Sequence, residues 1–388
     1  MIDRVVYSRD YSSYYAERES PAASSRHRDY VRDFGEENQG YLSNYRRDSK
    51  KIKIGTPIMV DLGNGTRKLE QIVANRYRLE KIIGKDYFGE IYLGTDLNNT
   101  GRQVAIKIEQ AWRKHSYLRL EHKVYNVMKG GVGIPKVIWR GREGQYDIMV
   151  MELLGASLKD RLVTQSGKFC LRRVLFLAEA FINVFEYIHS KGFIYRDVKP
   201  HNFLTGSGDK ENVIYVSNFR LSKRFRDAKT HEHIPYLTNK SFVGSLEYAS
   251  INAQLGIQQS RRDDMESLGY VLVYFLRGTL PWLELRYETK KEKYALTLDE
   301  KMALSMEALC QGCPLEFFIY IRICRSMGFD EKPDYSRLRQ LFRNVSKRYN
   351  LTSDETFGWK VKTTLGRDDR RSTSPSISPY IKGWLDKE

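Results

Sequence analysis

Residues 197–202 bring together a carboxylate, an ammonium group and a primary amide within one short string, Asp197-Val198-Lys199-Pro200-His201-Asn202. A second string, 104–107, ends in Lys107 and reads as a buried strand, and Glu121 follows on a predicted helix. Transfer of a phosphoryl group from ATP needs a phosphate cradle, an anchoring cation, a metal clamp and a carboxylate that orients the attacking hydroxyl. The chain offers candidates for all four parts.

The order of these segments resembles that of the protein kinase family, in which a glycine-rich turn, a strand lysine and a catalytic loop follow one another. The resemblance implies that the turn from Gly84 to Gly89 cradles the phosphates of ATP. It also implies that Lys107, held by Glu121, grips the α- and β-phosphates. An isolated lysine and glutamate would more often form a surface pair worth under about 1 kcal/mol.

The same resemblance assigns roles within the catalytic loop. Asp197 would accept or orient the proton of the substrate hydroxyl, and Lys199 would support the γ-phosphate. Asn202 would ligate Mg²⁺. Tyr195 stands where a histidine is usual, which is a known variation among kinases.

Further segments are similar to the casein kinase 1 family of serine/threonine kinases. They lie at 130–135, 149–155, 248–252, 259–264 and 338–344. Within the third, Ser250-Ile251-Asn252 stands where most kinases have Ala-Pro-Glu. The similarity runs from about residue 75 to residue 359. It implies transfer of the ATP γ-phosphate to serine or threonine of protein substrates.

By this resemblance an adenine slot would be lined by apolar side chains, with Met151 as gatekeeper and the backbone at Leu154 binding the base. The other lining residues would be Ile83, Ile91, Ala105 and Leu204. Such a stripe would serve equally well as ordinary core, and only the resemblance favours a pocket.

The metal-binding Asp-Phe-Gly of the family is replaced by Asn218-Phe219-Arg220. Mg²⁺ prefers anionic oxygen, and both expected protein ligands, Asn202 and Asn218, are neutral. We therefore expect weakened Mg²⁺ binding, with the ion held mainly by the phosphates of the nucleotide. A loss of about 4 kcal/mol in stabilisation of transferred charge would slow the reaction roughly a thousandfold.

Three other substitutions change charge around the same chemistry. Asp86 replaces the middle glycine of the cradle and opposes the approach of a phosphate, and Arg220 replaces a glycine that permits unusual backbone angles. Glu247 aligns with an arginine of the basic site through which casein kinase 1 enzymes recognise acidic or phosphorylated peptides. Lys293 and Arg196 match other cations of that site. We expect Glu247 to weaken the preference for phosphorylated substrates.

The elements that must position these residues are strands first and helices afterwards. Short apolar runs predict strands at 77–83, 91–95, 104–108, 136–140 and 147–152, and apolar spacing predicts a helix at 117–128. Beyond Leu154, helical spacing recurs in segments closed by Gly192 and Gly278. The prediction is an α+β, bilobal protein-kinase fold over 75–360, with an N-lobe at 75–152 and a C-lobe at 153–360.

The flanking segments lack such periodicity. Residues 1–70, rich in Arg, Ser and Tyr, are predicted to be a disordered arm, and 361–388 a flexible basic tail. The net charge of +17 indicates an anionic partner, but the arm is nearly charge-balanced, so we do not expect nucleic acid. With no leader or membrane segment found, we expect a cytoplasmic or nuclear monomer that meets a protein substrate or regulatory protein.

Two functions remain open from the sequence. One is a serine/threonine kinase of reduced activity, supported by Lys107, Asp197 and Asn202. The other is a catalytically impaired pseudokinase that acts as a nucleotide- or partner-binding scaffold, supported by Asp86 and Asn218.

Overall fold

The N-terminal part of the described chain, up to Glu152, contributes one antiparallel sheet of seven strands. The computed structural model describes residues 56–61, 67–85, 89–99, 101–111 and 117–351. The strands are β1 (Thr56–Asp61), β2 (Arg67–Val73), β3 (Tyr77–Lys85), β4 (Gly89–Asp96), β5 (Arg102–Gln110), β6 (Val137–Glu143) and β7 (Tyr146–Glu152). Their order across the sheet is β1-β2-β3-β4-β5-β7-β6. Helix α1 (Tyr117–Met128) connects β5 to β6.

The five strands and the helix predicted from the sequence are confirmed as β3 to β7 and α1. The prediction of a disordered arm over 1–70 was wrong for β1 and for the first part of β2. These strands lie at one edge of the sheet, where backbone hydrogen bonds to the neighbouring strand hold them. Ile72 and Val73, at the end of β2, are buried.

Alternate side chains of the central strands form the core of this sheet. Val104, Ile106 and Ile108 of β5 are fully buried, and the neighbouring strand β7 contributes Ile148 and Val150. The period of two places the intervening residues, including Lys107, on the opposite face. Packing on one face therefore leaves the other free to line a site.

Helices dominate the described chain after Glu152. They are α2 (Leu158–Thr164), α3 (Leu171–Ser190), α4 (Ile251–Gln254), α5 (Arg261–Arg277), α6 (Lys290–Ala303), α7 (Met306–Leu309), α8 (Leu315–Ser326) and α9 (Tyr335–Arg348). Short strands β8 (Phe193–Ile194), β9 (Phe203–Thr205), β10 (Ile214–Val216) and β11 (Lys223–Arg224) pair as β8 with β11 and β9 with β10. Across the described ranges, no helix combines the length and the apolarity needed to cross a membrane.

Helix α5 is the centre of the helical part. It contacts α3 on one side and α8 on another, and α9 in turn lies against α3. Almost every side chain of α5 is buried, including the carboxylates of Asp263, Asp264 and Glu266. Buried carboxylates require partners, and these partners come from the loops that form the site.

Lys301 of α6 is fully buried and ties the segment before α4 to the helical core. Its ammonium group donates hydrogen bonds to the carbonyl oxygens of Leu246 and Ala249, both at 2.8 Å, and to Oε1 of Gln254 at 2.7 Å. Three donors meet three acceptors, as a protonated lysine allows. Burial lowers the pKa of Lys301 to about 7, although Glu266 and Glu247 act in the opposite direction.

We predict that Lys301→Met lowers the free energy of unfolding by about 3 kcal/mol or more, because three buried acceptors lose their donor. Between the folded pKa of about 7 and the unfolded value of 10.5, only the unfolded chain keeps this proton. The free energy of unfolding of the wild type should therefore rise relative to that of the mutant as pH rises from 7, by up to about 1.4 kcal/mol per pH unit. Urea unfolding of both proteins at pH 7, 8 and 9 measures this. A difference that is constant with pH would show that Lys301 stays protonated in the fold.

Candidate active site

Asp197 lies at the centre of the candidate site and is only 1% exposed. Its Oδ2 is 3.0 Å from Nζ of Lys199 and accepts a 2.8 Å hydrogen bond from Nδ2 of Asn202. Its Oδ1 accepts a 2.7 Å hydrogen bond from the hydroxyl of Ser245. The three predicted residues are thus brought together, and Ser245 is a fourth member that sequence reasoning missed. A single serine far along the chain carried no signal of its own.

The loop that carries Asp197 is anchored to α5. The carboxylate of Asp264, which is 2% exposed, accepts hydrogen bonds from the backbone N–H groups of Tyr195 and Arg196 at 2.7 and 2.8 Å. Nε2 of His189 lies 2.9 Å from the same carboxylate. Arg196 has a φ of +68°, a left-handed conformation that costs a side-chain-bearing residue about 1 kcal/mol or more. The two hydrogen bonds hold the loop in this conformation.

The predicted pair of Lys107 and Glu121 is formed, with Nζ 2.8 Å from Oε2. Lys107 projects from β5, and Glu121 lies on the buried face of α1. Their side chains are 11% and 2% exposed, so this is a largely desolvated pair and not the weak surface pair that was the alternative. The pair fixes the lysine ammonium group beside the sheet.

Three aromatic rings connect α1 to the catalytic loop. Phe219 meets Tyr125 of α1 edge to face, with centroids 5.0 Å apart, and meets Tyr195 in the same way at 5.4 Å. Tyr125 also accepts a 3.1 Å hydrogen bond from the backbone N–H of Asn218. All three rings are buried, so a shift of α1 would disturb the loop through this stack.

The predicted adenine-slot residues lie on adjacent strands and on the connection that follows β7. Ala105 pairs with Met151 across β5 and β7, and Gly84 pairs with Ile91 across β3 and β4. The backbone near Leu154 is joined to β9, which carries Leu204, by the bond from Gly155 N–H to the carbonyl of Thr205. The lining side chains keep part of their surface exposed, namely Ile83, Ile91, Ala105, Met151, Leu154 and Leu204. Partial exposure favours a cleft over a closed core.

Asn218 and Asn202 occupy the two positions expected to hold metal, and they bond to each other. Nδ2 of Asn202 faces two acceptors, the backbone oxygen and Oδ2 of Asp197, both at 2.8 Å. Its Oδ1 must therefore point the other way, where it accepts a 3.3 Å hydrogen bond from Nδ2 of Asn218. An aspartate at 218 would place two oxygens face to face, and they would repel unless a cation lay between them.

These residues do not fit a Mg²⁺ ion bound by protein carboxylates. Both side chains are neutral, and one of their oxygens already accepts a hydrogen bond from its neighbour. The nearby carboxylate of Asp197 is engaged by Lys199, Asn202 and Ser245. Mg²⁺ favours charged oxygen ligands in a strict octahedron, and this donor set does not supply them.

Of the two other substitutions near the nucleotide site, the structure describes Arg220 but not Asp86. Arg220, in the 3-10 helix Phe219–Leu221, lines a small cavity with Gly89, Lys107 and Glu121. It thus places a second cation on the side of the sheet that carries Lys107. Asp86, at the tip of the predicted phosphate cradle, lies outside the described residues.

A cluster of cations lies on the segment that follows the catalytic loop. Nε of Arg196 donates a 2.6 Å hydrogen bond to the carbonyl of Leu221, close to Lys223 in the chain. Burial lowers the pKa of Lys223, and the charges of Arg196 and Lys240 lower it further. Burial also lowers the pKa of Arg196 to about 10. Sequence reasoning identified Arg196 but missed Lys223 and Lys240, because their proximity depends on how the segment folds back. A concentration of positive charge is suited to binding an anion.

Glu247 forms an ion pair with Lys293, with Oε1 2.6 Å from Nζ. Burial opposes ionisation of Glu247, but the hydrogen bond and charge of Lys293 prevail and lower its pKa. Trp282 fixes the backbone at this point through a 2.7 Å hydrogen bond from Nε1 to the carbonyl of Glu247. The cation at Lys293 is therefore neutralised within the protein itself.

This arrangement of a strand lysine paired with a helix glutamate and a buried catalytic-loop carboxylate is that of an enzyme class that moves phosphoryl groups from nucleotides to hydroxyls. Residues 77–314 match the family model for the protein kinase domain. Because the match covers more than half of the 388 residues, the chain belongs to the protein kinase family. Such domains generally use ATP and Mg²⁺ and act on protein substrates. Helices α8 and α9 lie beyond the matched residues.

We predict that affinity for ATP changes less than about threefold when Mg²⁺ is added, because neither Asn202 nor Asn218 offers it a charge. Lys107→Ala should weaken ATP binding by about tenfold or more, since it removes a charge-assisted contact to the phosphates. Titration of each protein with ATP, in EDTA and in excess Mg²⁺, gives both results. A large gain in affinity with Mg²⁺ would contradict the account of the metal positions.

Proposed function

We propose that this chain is a casein kinase 1-like serine/threonine kinase with reduced activity. The observation that carries the proposal is the assembled catalytic loop, in which Asp197 is held by Lys199, Asn202 and Ser245. The buried pair of Lys107 and Glu121 supports it further. A protein that served only as a scaffold would have no need for this set of contacts.

In the proposed reaction the residues of this chain supply position and charge. Lys107 anchors the nucleotide phosphates, and Lys199 faces the phosphoryl group that moves. Asp197 accepts a hydrogen bond from the serine or threonine hydroxyl of the substrate and takes its proton as that oxygen bonds to the γ-phosphorus. The bond from the γ-phosphorus to the β,γ-bridging oxygen breaks in the same step, and ADP leaves with the electron pair. Reduced activity follows because these cations act without a carboxylate-held metal ion.

The segment Ser250-Ile251-Asn252, part of the casein kinase 1 resemblance, has a clear structural role that supports the family assignment. Ser250 caps α4 and donates a 2.6 Å hydrogen bond to Oδ1 of Asp263. The backbone N–H of Ile251 donates to Oε1 of Glu266 at 3.1 Å. Two buried carboxylates of α5 thus anchor the end of the substrate-binding segment.

The cation cluster supports protein substrates that carry acidic or phosphorylated residues. Arg196, Lys223 and Lys240 lie close to the loop that holds Asp197. A phosphate bound there would place a neighbouring hydroxyl near the catalytic carboxylate. Glu247 removes the contribution of Lys293 but leaves this cluster intact.

A second candidate function is a nucleotide-binding scaffold without significant phosphotransfer. The hydrogen bond from Asn218 to Asn202 favours it, because it links the two amides directly, without a metal ion between them. Both functions predict binding of ATP. They differ only in turnover, so the assay must measure phosphate transfer.

We predict that Asn218→Asp raises phosphotransfer at saturating Mg²⁺ by about tenfold or more, because a carboxylate restores the anionic metal ligand. The measurement is incorporation of labelled phosphate from ATP into casein and into an acidic serine peptide. Adding Asp86→Gly should raise the rate further by opening the cradle.

Asn218→Ala is the matched control, since it removes the amide without adding charge and should not increase the rate. Asp197→Asn in the Asn218→Asp background should abolish the gain, which excludes a contaminating kinase. Wild-type activity equal to that of Asn218→Asp would contradict the proposed lesion. Absence of transfer in every variant would favour the scaffold.

We predict that Glu247→Arg increases the preference for a phosphopeptide over its unphosphorylated twin. The substitution breaks the pair with Lys293 and adds a cation, so two charges become available to the phosphate. The gain should shrink as ionic strength rises. Affinities of both peptides at low and moderate salt test this, with Glu247→Gln as an intermediate control. Equal selectivity in wild type and mutant would show that Arg196, Lys223 and Lys240 alone determine recognition.

A further inference from the structure

A groove of about 730 Å³ lies on a part of the surface separate from the catalytic loop. Helix α1 forms one wall, strand β6 forms the other, and the 3-10 helix Gly208–Lys210 lies at one end. Among the described residues, its lining includes no member of the catalytic loop and neither partner of the Lys107 ion pair. Its properties therefore do not depend on whether the proposed phosphotransfer is correct.

The groove is lined predominantly by positive charge. Lys129, Lys136, Arg140 and Lys210 stand against a single carboxylate, Glu152. The three lysines are exposed, and none of them forms an ion pair within residues 117–351. Their charges consequently add along the groove, where a ligand would replace water as their partner.

The remaining charged groups do not cancel this field. Oε1 of Glu152 accepts a 2.6 Å hydrogen bond from the backbone N–H of Lys136, which holds it against the wall. Arg140 lies 3.8 Å from Asp147 and keeps a quarter of its side chain exposed. His122 also lines the groove, and burial, with the charge of Arg140, lowers the pKa of His122 and so disfavours its charged form.

The rim of the groove is preformed by a glycine-rich turn. Gly130 and Gly133 have φ values of +87° and +76°, which side chains disfavour, and a side chain at Gly131 would meet the ring of Tyr187. Tyr187 in turn donates a 3.1 Å hydrogen bond to the carbonyl of Met128 at the end of α1. A fixed rim lowers the ordering cost for a ligand that binds there.

The chemistry of the walls distinguishes between polyanions. Tyr125 and Tyr215 are only 3% and 5% exposed, and Trp139 is partly buried, with its ring against Gly141 and beside the ring of Tyr77. Little ring face is therefore left on which a base could stack. The turn instead presents Val132, which is 80% exposed, next to the lysines. We propose that this groove binds an extended acidic peptide segment of a partner protein, with carboxylates on the lysines and an apolar side chain against Val132.

The first experiment places a reporter in the groove. Val132→Cys, in a Cys170→Ser and Cys313→Ser background, is labelled with an environment-sensitive fluorophore, because the remaining cysteines are buried. The probe ligand is a decapeptide of alternating glutamate and leucine. Saturable change of the fluorescence, with an affinity that falls as salt rises, is the expected result.

Charge reversal tests the same site with an unlabelled chain and a labelled peptide. Lys129→Glu with Lys210→Glu should weaken binding of the decapeptide by about tenfold or more, since two attractions become repulsions. Lys168→Glu with Lys347→Glu is the matched control, because both residues are exposed, lie elsewhere in the helical part and change net charge equally. The control should bind as the wild type does.

Two outcomes would overturn the proposal. A reporter at position 132 that does not respond, while the peptide still binds, would place the peptide at the cation cluster near the catalytic loop. An oligouridylate that binds as tightly as the peptide and loses affinity in the Lys129→Glu, Lys210→Glu protein would make the groove a nucleic-acid site. Phosphotransfer is not measured in either experiment, so failure here leaves the proposed function unaffected.

Discussion

The buried carboxylate of Asp264 is the interaction on which the site depends. It accepts hydrogen bonds from two consecutive backbone N–H groups, those of Tyr195 and Arg196, and it lies on α5, most of whose side chains are buried. These bonds offset the cost of the left-handed backbone of Arg196. Asp197 is the next residue in the chain, so its position is set by the contact of the loop with helix α5 and not by the loop alone.

The buried charged groups of helix α5 and of Lys301 also explain how a distant segment is held against the helical core. α5 buries several carboxylates, and each finds a donor on a segment that must be held still. Ser250 is held in this way by Asp263, and the backbone of Ile251 by Glu266. Lys301 acts with the opposite charge: this buried cation donates hydrogen bonds to two carbonyl oxygens of the same segment. The segment from Leu246 to Ile251 is thus fixed from two directions.

Much of this arrangement could be predicted from the sequence, and the reasons differ by element. In strands β3 to β7 and helix α1 the apolar residues recur at regular spacing, so these elements could be predicted from that spacing. Lys107 meets Glu121, and Asp197 meets Asn202, because each residue lies in a string specific enough to fix its place in the fold.

The parts that were missed depend on tertiary contacts. β1 and most of β2 pair through backbone groups, which leave little trace in residue types. The roles of Ser245 and Lys240 arise only when their segment folds back onto the catalytic loop. The neutral character of Asn218 was evident from the sequence, but its hydrogen bond to Asn202 required the geometry of both side chains.

The backbone at Asn218 carries a consequence for how this site can change over time. Its φ of +65° and ψ of +62° lie in the left-handed region, which asparagine and aspartate tolerate better than most other side chains. Exchange between the two therefore leaves the main chain undisturbed and alters a single polar group. One codon change therefore exchanges a neutral amide for a carboxylate at this position while the backbone keeps its conformation. Because Mg²⁺ prefers anionic oxygen, that exchange alone alters how strongly the site attracts a metal ion.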